Sequence, residues 1–125
     1  MTPPMMARWN HALRFGLELA AICGLAAWAW RSTDDVARWL GVFLLLVAAM
    51  AIWTVFNVPD DPSRSGGAPV EIPGWLRLAI EIAILGASTA ALVARGPLWF
   101  GLTVGGLTVV HYLASTARLD WLLQQ

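Results

Sequence analysis

The sequence predicts an all-α integral membrane protein, a single domain in which four transmembrane helices form a bundle, on the basis of three observations. Of the 125 residues, 58% are hydrophobic and only 13% are charged, whereas about 25% of an average soluble domain is charged. Four apolar stretches approach the roughly 20 residues that a helix needs to cross a bilayer. Seven of the eight tryptophans lie near the ends of these stretches, and indole rings prefer the membrane interface.

The predicted spans lie near residues 10–30, 36–56, 74–94 and 98–117. Each span must be helical because hydrocarbon offers no partner to an unsatisfied backbone group. The second and third spans are separated by a long Pro/Gly-rich loop, residues 57–73, which contains four prolines and two glycines. These residues exclude a continuous helix. We expect the loop to be either a shaped lid over a site or a plain solvated linker.

The orientation of the chain follows from its arginines, since it contains no lysine. Four spans place both termini and the long loop on one side of the membrane, which holds five arginines: Arg8, Arg14, Arg64, Arg77 and Arg118. The other side holds three: Arg31, Arg38 and Arg95. The positive-inside rule favours cytoplasmic termini. Insertion in both orientations, as in antiparallel dimers of very small transporters, stays open.

Two charged pairs lie inside apolar runs that match each other, Arg14 and Glu18 in the first span and Arg77 and Glu81 in the third. A charge at the centre of a membrane helix costs about 2.5–3.5 kcal/mol. Arginine before glutamate is the weaker order for a pair within one helix. We therefore expect pairing between helices, Arg14 with Glu81 and Arg77 with Glu18. This cluster either fixes helix packing or binds or passes a small polar or ionic ligand.

Other polar residues converge on the same side of the predicted bundle. The ligand-site hypothesis therefore adds residues of the fourth span, of the rim and of the loop to the two charged pairs: His111, Arg118, Asn10, Asn57, Asp60, Asp61 and Arg64. His111 fits either a proton relay or a hydrogen-bonded packing residue. Catalysis has little support, so a membrane enzyme or redox protein ranks third. A non-catalytic accessory protein is the main alternative to ligand binding.

No cofactor, metal or nucleic acid is expected. A carboxylate-bridged dimetal site uses Glu-x-x-His on two helices, and neither Glu18 nor Glu81 is followed by histidine at that spacing. No basic block suggests nucleic acid. Gly101 and Gly105 form a Gly-x-x-x-Gly motif, which lets helices approach closely. This motif serves either packing within the bundle or a homodimer.

Several segments together resemble a known family. They are Asn10 with Leu13-Arg14-Phe15-x-x-Glu18-Leu19, Trp53-x-x-Phe56-Asn57-x-Pro59, Ala68-Pro69, Pro73-Gly74 and Arg77-Leu78-x-x-Glu81. The chain is similar along nearly its whole length to the YrdB family of small four-span bacterial membrane proteins. The resemblance implies four spans and the bacterial plasma membrane. It implies no catalytic role for any residue, because the function of the family is uncharacterised.

Overall fold

The computed structural model describes residues 2–64 and 66–125. Within these ranges the chain is mainly helical. Its helices are α1 (Arg8–Ser32), α2 (Asp35–Val55), α3 (Gly74–Arg95), α4 (Leu98–Leu113) and α5 (Thr116–Leu123). Three of them, α1, α2 and α3, are long and apolar enough to cross a membrane. The pair α4 and α5, bent by 69°, adds a fourth candidate if it counts as one span. The predicted all-α class is confirmed, with three to four apolar spans.

The fourth span is shorter than the predicted 98–117. The helix α4 has 16 residues, a rise of about 24 Å against a hydrocarbon thickness of about 30 Å. It ends because Ser115 donates its backbone N–H to the carbonyl of Tyr112 and its hydroxyl to that of His111, so side-chain bonding replaces the helical ladder. The chain then bends into α5, whose buried residues Arg118, Trp121 and Leu122 pack at the end of the bundle.

The apolar core lies between α1, α3 and α4. Its buried members come from each of these helices: Leu17, Ala21, Leu85, Leu92 and Val104. The helix α2 packs mainly against α1 and buries none of its residues. An apolar helix with no buried residue is unstable in water and suits a hydrocarbon environment.

Residues 57–73 contain more order than a linker. The two-residue strands β1 (Phe56–Asn57) and β2 (Val70–Glu71) pair in parallel. Val58 packs with Trp121 and Leu122 of α5. Asp61 and Ser63 are buried as well. These contacts favour a shaped loop over a solvated linker.

The two glycines of the Gly-x-x-x-Gly motif face α3. A Cβ at Gly101 would lie 2.8 Å from the backbone nitrogen of Val93, and one at Gly105 would lie 3.0 Å from the methyl group of Thr89. This close approach corresponds to the packing interpretation of the motif. The homodimer through the Gly101/Gly105 face stays a prediction.

Candidate functional site

The carboxylate of Glu81 is the centre of a buried charge cluster, which we define as Arg14, Arg77, Arg118, Asp61 and Glu81. Glu81 is fully buried on α3. It accepts hydrogen bonds from Arg14 (Nη2–Oε1 2.9 Å), from Arg77 (Nε–Oε1 3.0 Å) and from Arg118 (Nη2–Oε1 2.7 Å and Nη1–Oε2 3.0 Å).

A fourth donor completes the shell of Glu81. The hydroxyl of Tyr112 donates to Oε2 at 3.1 Å. An ionised carboxylate has about four lone-pair positions, and these donors already fill them. Glu81 therefore joins α1, α3, α4 and α5 and keeps no free position for a ligand or for a transferable proton.

Arg118 connects this cluster to the long loop. It donates to both oxygens of Asp61, from Nε to Oδ1 at 2.8 Å and from Nη2 to Oδ2 at 2.6 Å. This bidentate geometry gives the strong form of an arginine–carboxylate pair. The backbone N–H of Ser63 also donates to Asp61 Oδ1 at 2.9 Å. The loop is thus held on the bundle by an ion pair that joins it to α5.

Acid is expected to weaken this loop attachment. Burial raises the pKa of Asp61, but the hydrogen bonds and charge of Arg118 lower it more, so the pKa lies below its usual range. The folded pKa is thus below the unfolded value of about 3.9, and the stabilisation present above about pH 4 is lost as pH falls through the folded pKa. Asp61→Asn should therefore lower the free energy of unfolding less in acid than at neutral pH. Denaturation of the variant and the wild type at several pH values measures this difference.

The neighbouring aspartate provides the control for this prediction. Asp60 is exposed, and Asp60→Asn, the same chemical change at the adjacent position, should cost far less stability than Asp61→Asn near pH 7. An Asp61→Asn penalty that stayed constant down to about pH 3, well below the unfolded pKa, would contradict a stabilising contribution from ionised Asp61.

Arg77 joins the cluster to the end of α2. Its Nη1 donates to the carbonyl oxygens of Trp53 at 2.8 Å and of Phe56 at 3.0 Å. Asn57 Nδ2 donates to the Thr54 carbonyl at 2.6 Å. The last carbonyls of a helix have no intrahelical partner and carry partial negative charge. A cation and an amide here stabilise the end of α2 and fix the start of the loop.

Arg14 joins the cluster to a neutral histidine. Arginine only donates hydrogen bonds, and Arg14 Nη1 lies 3.3 Å from Nε2 of His111. Nε2 must therefore accept, which leaves the proton on Nδ1, where it is donated to Oδ1 of Asn10 at 2.7 Å. Asn10 Nδ2 in turn donates to the Ser115 hydroxyl at 2.8 Å. Both ring nitrogens are occupied, an arrangement that matches the packing interpretation of His111 better than the proton relay.

The predicted pairing of charges is half right. The pair between Arg14 and Glu81 forms, but Arg77 pairs with Glu81 of its own helix rather than with Glu18. Glu18 in turn lies 3.3 Å from Nε of Arg14, also within its own helix. A pair within one helix is worth only about 0.2–0.5 kcal/mol in either order. The position of the buried carboxylate on α3 therefore decides which arginines converge.

The structure also revises the positions of the predicted rim and loop residues. Asn10 and Asn57 are buried rather than at the rim. Asp60 is exposed and contributes nothing to the cluster, whereas Asp61 is one of its members. Arg64 is half-buried, with Nη1 3.5 Å from the carbonyl oxygens of Trp53 and Thr54.

Trp53, which the sequence assigns to the interface, packs within the cluster. Its ring lies 5.1 Å from the guanidinium carbon of Arg14 and 4.7 Å from that of Arg77, within the range of a cation–π contact. Ser63 and Ser115 are two further buried residues that the sequence analysis does not single out. The spacing of Ser115, four residues after His111, is a signal for the hydrogen bond that it makes to the His111 carbonyl.

A half-open polar cleft of about 560 Å³ lies beside the buried charge cluster, between α1, the end of α2 and the loop. Its lining includes Arg14, Glu18, Ser63 and Arg64. Two buried polar atoms of these side chains, Ser63 Oγ and Arg64 Nε, have no hydrogen-bond partner, and Arg14 Nε has only its 3.3 Å contact with the Glu18 carboxylate. Unpartnered buried polar atoms are uncommon because each carries a desolvation cost. Outside the cleft lining, further buried atoms are unpartnered as well: Arg77 Nη2, Asn57 Oδ1 and Ser88 Oγ. Among the described residues, however, only the cleft combines such atoms with open space.

The structure is that of a small helical protein of membrane-compatible composition. Its helices are long enough to span a membrane, and a buried charge cluster lies at one end of them. The chain belongs to the family described as protein of unknown function (DUF2568), whose model matches residues 12–109. It is similar to the uncharacterised protein YrdB of Bacillus subtilis (strain 168), with 38% identity over 116 residues, which cover 93% of this chain and 94% of that protein. No solved structure matches significantly. The family resemblance predicted from the sequence is confirmed.

Proposed function

We propose that this protein is a non-catalytic, multi-pass protein of the bacterial plasma membrane that binds a small ligand carrying a charged group in the polar cleft. The observation that carries the proposal is the pair of unpartnered donors on Ser63 and Arg64, beside Arg14 Nε, whose acceptor is the partly exposed carboxylate of Glu18. A ligand that accepts their hydrogen bonds removes the desolvation cost that they otherwise leave. The arginine distribution supports a cytoplasmic position for this cleft and for both termini.

Binding has more support than passage of the ligand through the bundle. The buried polar residues gather at one end, and beyond them Ser88 alone interrupts the apolar core among the described residues. Ion and proton paths across a membrane use a succession of polar groups. An apolar core of leucine, alanine and valine does not offer such a succession.

A second candidate, an accessory membrane protein without a ligand, is favoured by a different observation. The contacts of Glu81 join four helices and leave it saturated, as expected of charges that fix helix packing. The unburied face of α2 then offers surface to a partner helix. This candidate predicts copurification with a larger complex, whereas ligand binding does not require one.

The ligand proposal is tested by thermal unfolding of the purified full chain in detergent with a panel of ions and small metabolites. A ligand that binds only the folded state stabilises it by about 2.7 kcal/mol at one hundred times its Kd. We expect a saturable rise in Tm with a few related compounds. Arg64→Gln and Glu18→Gln should shift the concentration that gives half the effect, because both side chains line the cleft.

A matched control separates specific binding from general charge effects. Arg8 is an exposed arginine near the start of α1, and Arg8→Gln should leave the response unchanged. A panel that leaves Tm unchanged, or a response equal in all four proteins, would refute binding in the polar cleft and favour the accessory protein.

A further inference from the structure

A small apolar cavity adjoins the polar cleft. It has a volume of about 180 Å³ and lies between α1, α2 and α3. Glu18, Trp53 and Thr54 line both the cavity and the cleft, so the two spaces meet at these side chains. Beyond that boundary the lining is aliphatic, with Ala21, Leu46 and Ala49 among its members.

The apolar cavity is large enough for a piece of hydrocarbon. An engineered apolar cavity of about 150 Å³ stays dry and binds benzene, and this cavity is slightly larger. It is lined by α1, α2 and α3, all of which are candidate membrane spans. The acyl chains of a surrounding bilayer are therefore its nearest source of apolar ligand.

The charge around the polar cleft favours an anion. Four arginines belong to the cluster and the cleft: Arg14, Arg64, Arg77 and Arg118. They face the three carboxylates of Glu18, Asp61 and Glu81, which leaves one positive charge. Nε of Arg64 has no partner, Nε of Arg14 has only the Glu18 carboxylate, and both nitrogens are donors only. A phosphate group supplies a negative charge and acceptor oxygens for both.

We propose that the ligand is an anionic phospholipid of the surrounding bilayer, with its phosphate in the polar cleft and part of one acyl chain in the apolar cavity. This inference rests on the proposed ligand-binding function and adds the chemical class of the ligand. Inorganic phosphate has the same head-group chemistry, but it leaves the adjoining cavity unused. The carboxylate of Glu18, 3.3 Å from Arg14 Nε, competes with the bound phosphate for that arginine.

The test measures the Tm of the detergent-purified full chain against the concentration of three probes. They are a short-chain phosphatidylglycerol, a phosphatidylcholine with the same chains, and sodium phosphate. We expect saturable stabilisation by phosphatidylglycerol, with a half-saturating concentration about tenfold lower than that of phosphatidylcholine, the factor that corresponds to about 1.4 kcal/mol. Sodium phosphate should raise the Tm less than phosphatidylglycerol does, because it fills no apolar space.

Substitutions in the polar cleft and in the apolar cavity give separable effects. Arg64→Gln should weaken the response to phosphatidylglycerol, and Glu18→Gln should strengthen it because the competing carboxylate is removed. Ala49→Phe should weaken the same response by filling the apolar cavity, whereas Ala48→Phe, at an exposed position of the same helix that does not line the cavity, should not. Arg64→Gln and Glu18→Gln keep the test usable if Ala49→Phe does not fold.

The outcomes distinguish this inference from the proposed function. Equal stabilisation by sodium phosphate and phosphatidylglycerol, unaffected by Ala49→Phe, would overturn the lipid and keep a soluble anion in the cleft. Stronger binding in Arg64→Gln and weaker binding in Glu18→Gln would assign the cleft to a cation and overturn the lipid as well. Unchanged Tm with every probe, here and with the metabolite panel, would overturn both proposals.

Discussion

Glu81→Gln is expected to destabilise the protein by about 3–5 kcal/mol, the range found when one partner of a buried ion pair is removed. The substitution keeps the shape of the side chain but removes the negative charge that Arg14, Arg77 and Arg118 share. It also turns one acceptor oxygen into an amide donor that faces guanidinium groups. Three buried cations then have only the carboxylate of Asp61 within the buried charge cluster, so the α1, α3 and α5 contacts weaken together.

Glu18→Gln is the matched control, because it makes the same chemical change one helix away. The side chain of Glu18 is 33% exposed, against 0% for Glu81, and Arg14 is its one ion-pair partner among the described residues. Partly exposed pairs are worth about 0.2–1 kcal/mol, so we expect a loss below 1 kcal/mol. Denaturant or thermal unfolding in the same detergent measures both variants. Similar losses in the two proteins would contradict the central position of Glu81.

A charge exchange tests the number of partners that Glu81 has. In a simple pair, Arg14→Glu combined with Glu81→Arg restores the attraction and recovers much of the stability. Here the exchange places a new arginine beside Arg77 and Arg118, which both contact position 81. We therefore expect the double variant to be no more stable than Glu81→Gln. Wild-type stability of the exchanged protein would show that Arg14 is the dominant partner.

The sequence predicts the helices and the cluster because both depend on strong local signals. An apolar run of about 20 residues has few structures available in hydrocarbon other than a helix. Charges inside such runs are costly, which is why Arg14, Glu18, Arg77 and Glu81 stand out against their apolar neighbours in the chain. The Arg14–Glu81 pair follows from the parallel direction of the first and third spans.

The features that the sequence does not predict depend on contacts between residues that are distant in the sequence. The ion pair between Asp61 and Arg118 joins positions 57 residues apart, and nothing near either residue indicates the other. The bend after Leu113 depends on Ser115, whose hydroxyl also accepts a hydrogen bond from Asn10 near the other end of the chain. Trp53 has the position in the sequence of an interface residue, but its ring packs against two arginines. This contact forms because the buried charge cluster brings those arginines together.

Gly74→Ala is expected to produce the other large effect, by displacing α5. Gly74 is the first residue of α3, and a Cβ there would overlap the backbone carbonyl of Leu122. A backbone group cannot rotate away as a side chain does, so α5 must move as a unit. Overpacking alone costs about 1–3 kcal/mol, and the shift also breaks the geometry of Arg118 with Asp61 and Glu81.

Hydrogen exchange of the α5 amides and global unfolding together measure this effect. We expect α5, residues Thr116–Leu123, to lose protection in Gly74→Ala, with a total loss of more than about 2 kcal/mol from the combined overpacking and ion-pair terms. Gly86→Ala is the control within α3, since a Cβ at Gly86 meets nothing within 4 Å. Alanine is the better helix former by about 1 kcal/mol, so the control should be neutral or stabilising.

The two large effects are coupled through Arg118, and this gives a sharper test than either alone. If α5 has already moved in Gly74→Ala, the added substitution Arg118→Gln removes an interaction that is no longer made. The two losses should then sum to more than the loss in the double variant, since residues that share one network are not additive. Strict additivity, or wild-type protection of α5 in Gly74→Ala, would mean that α5 does not lie across the start of α3.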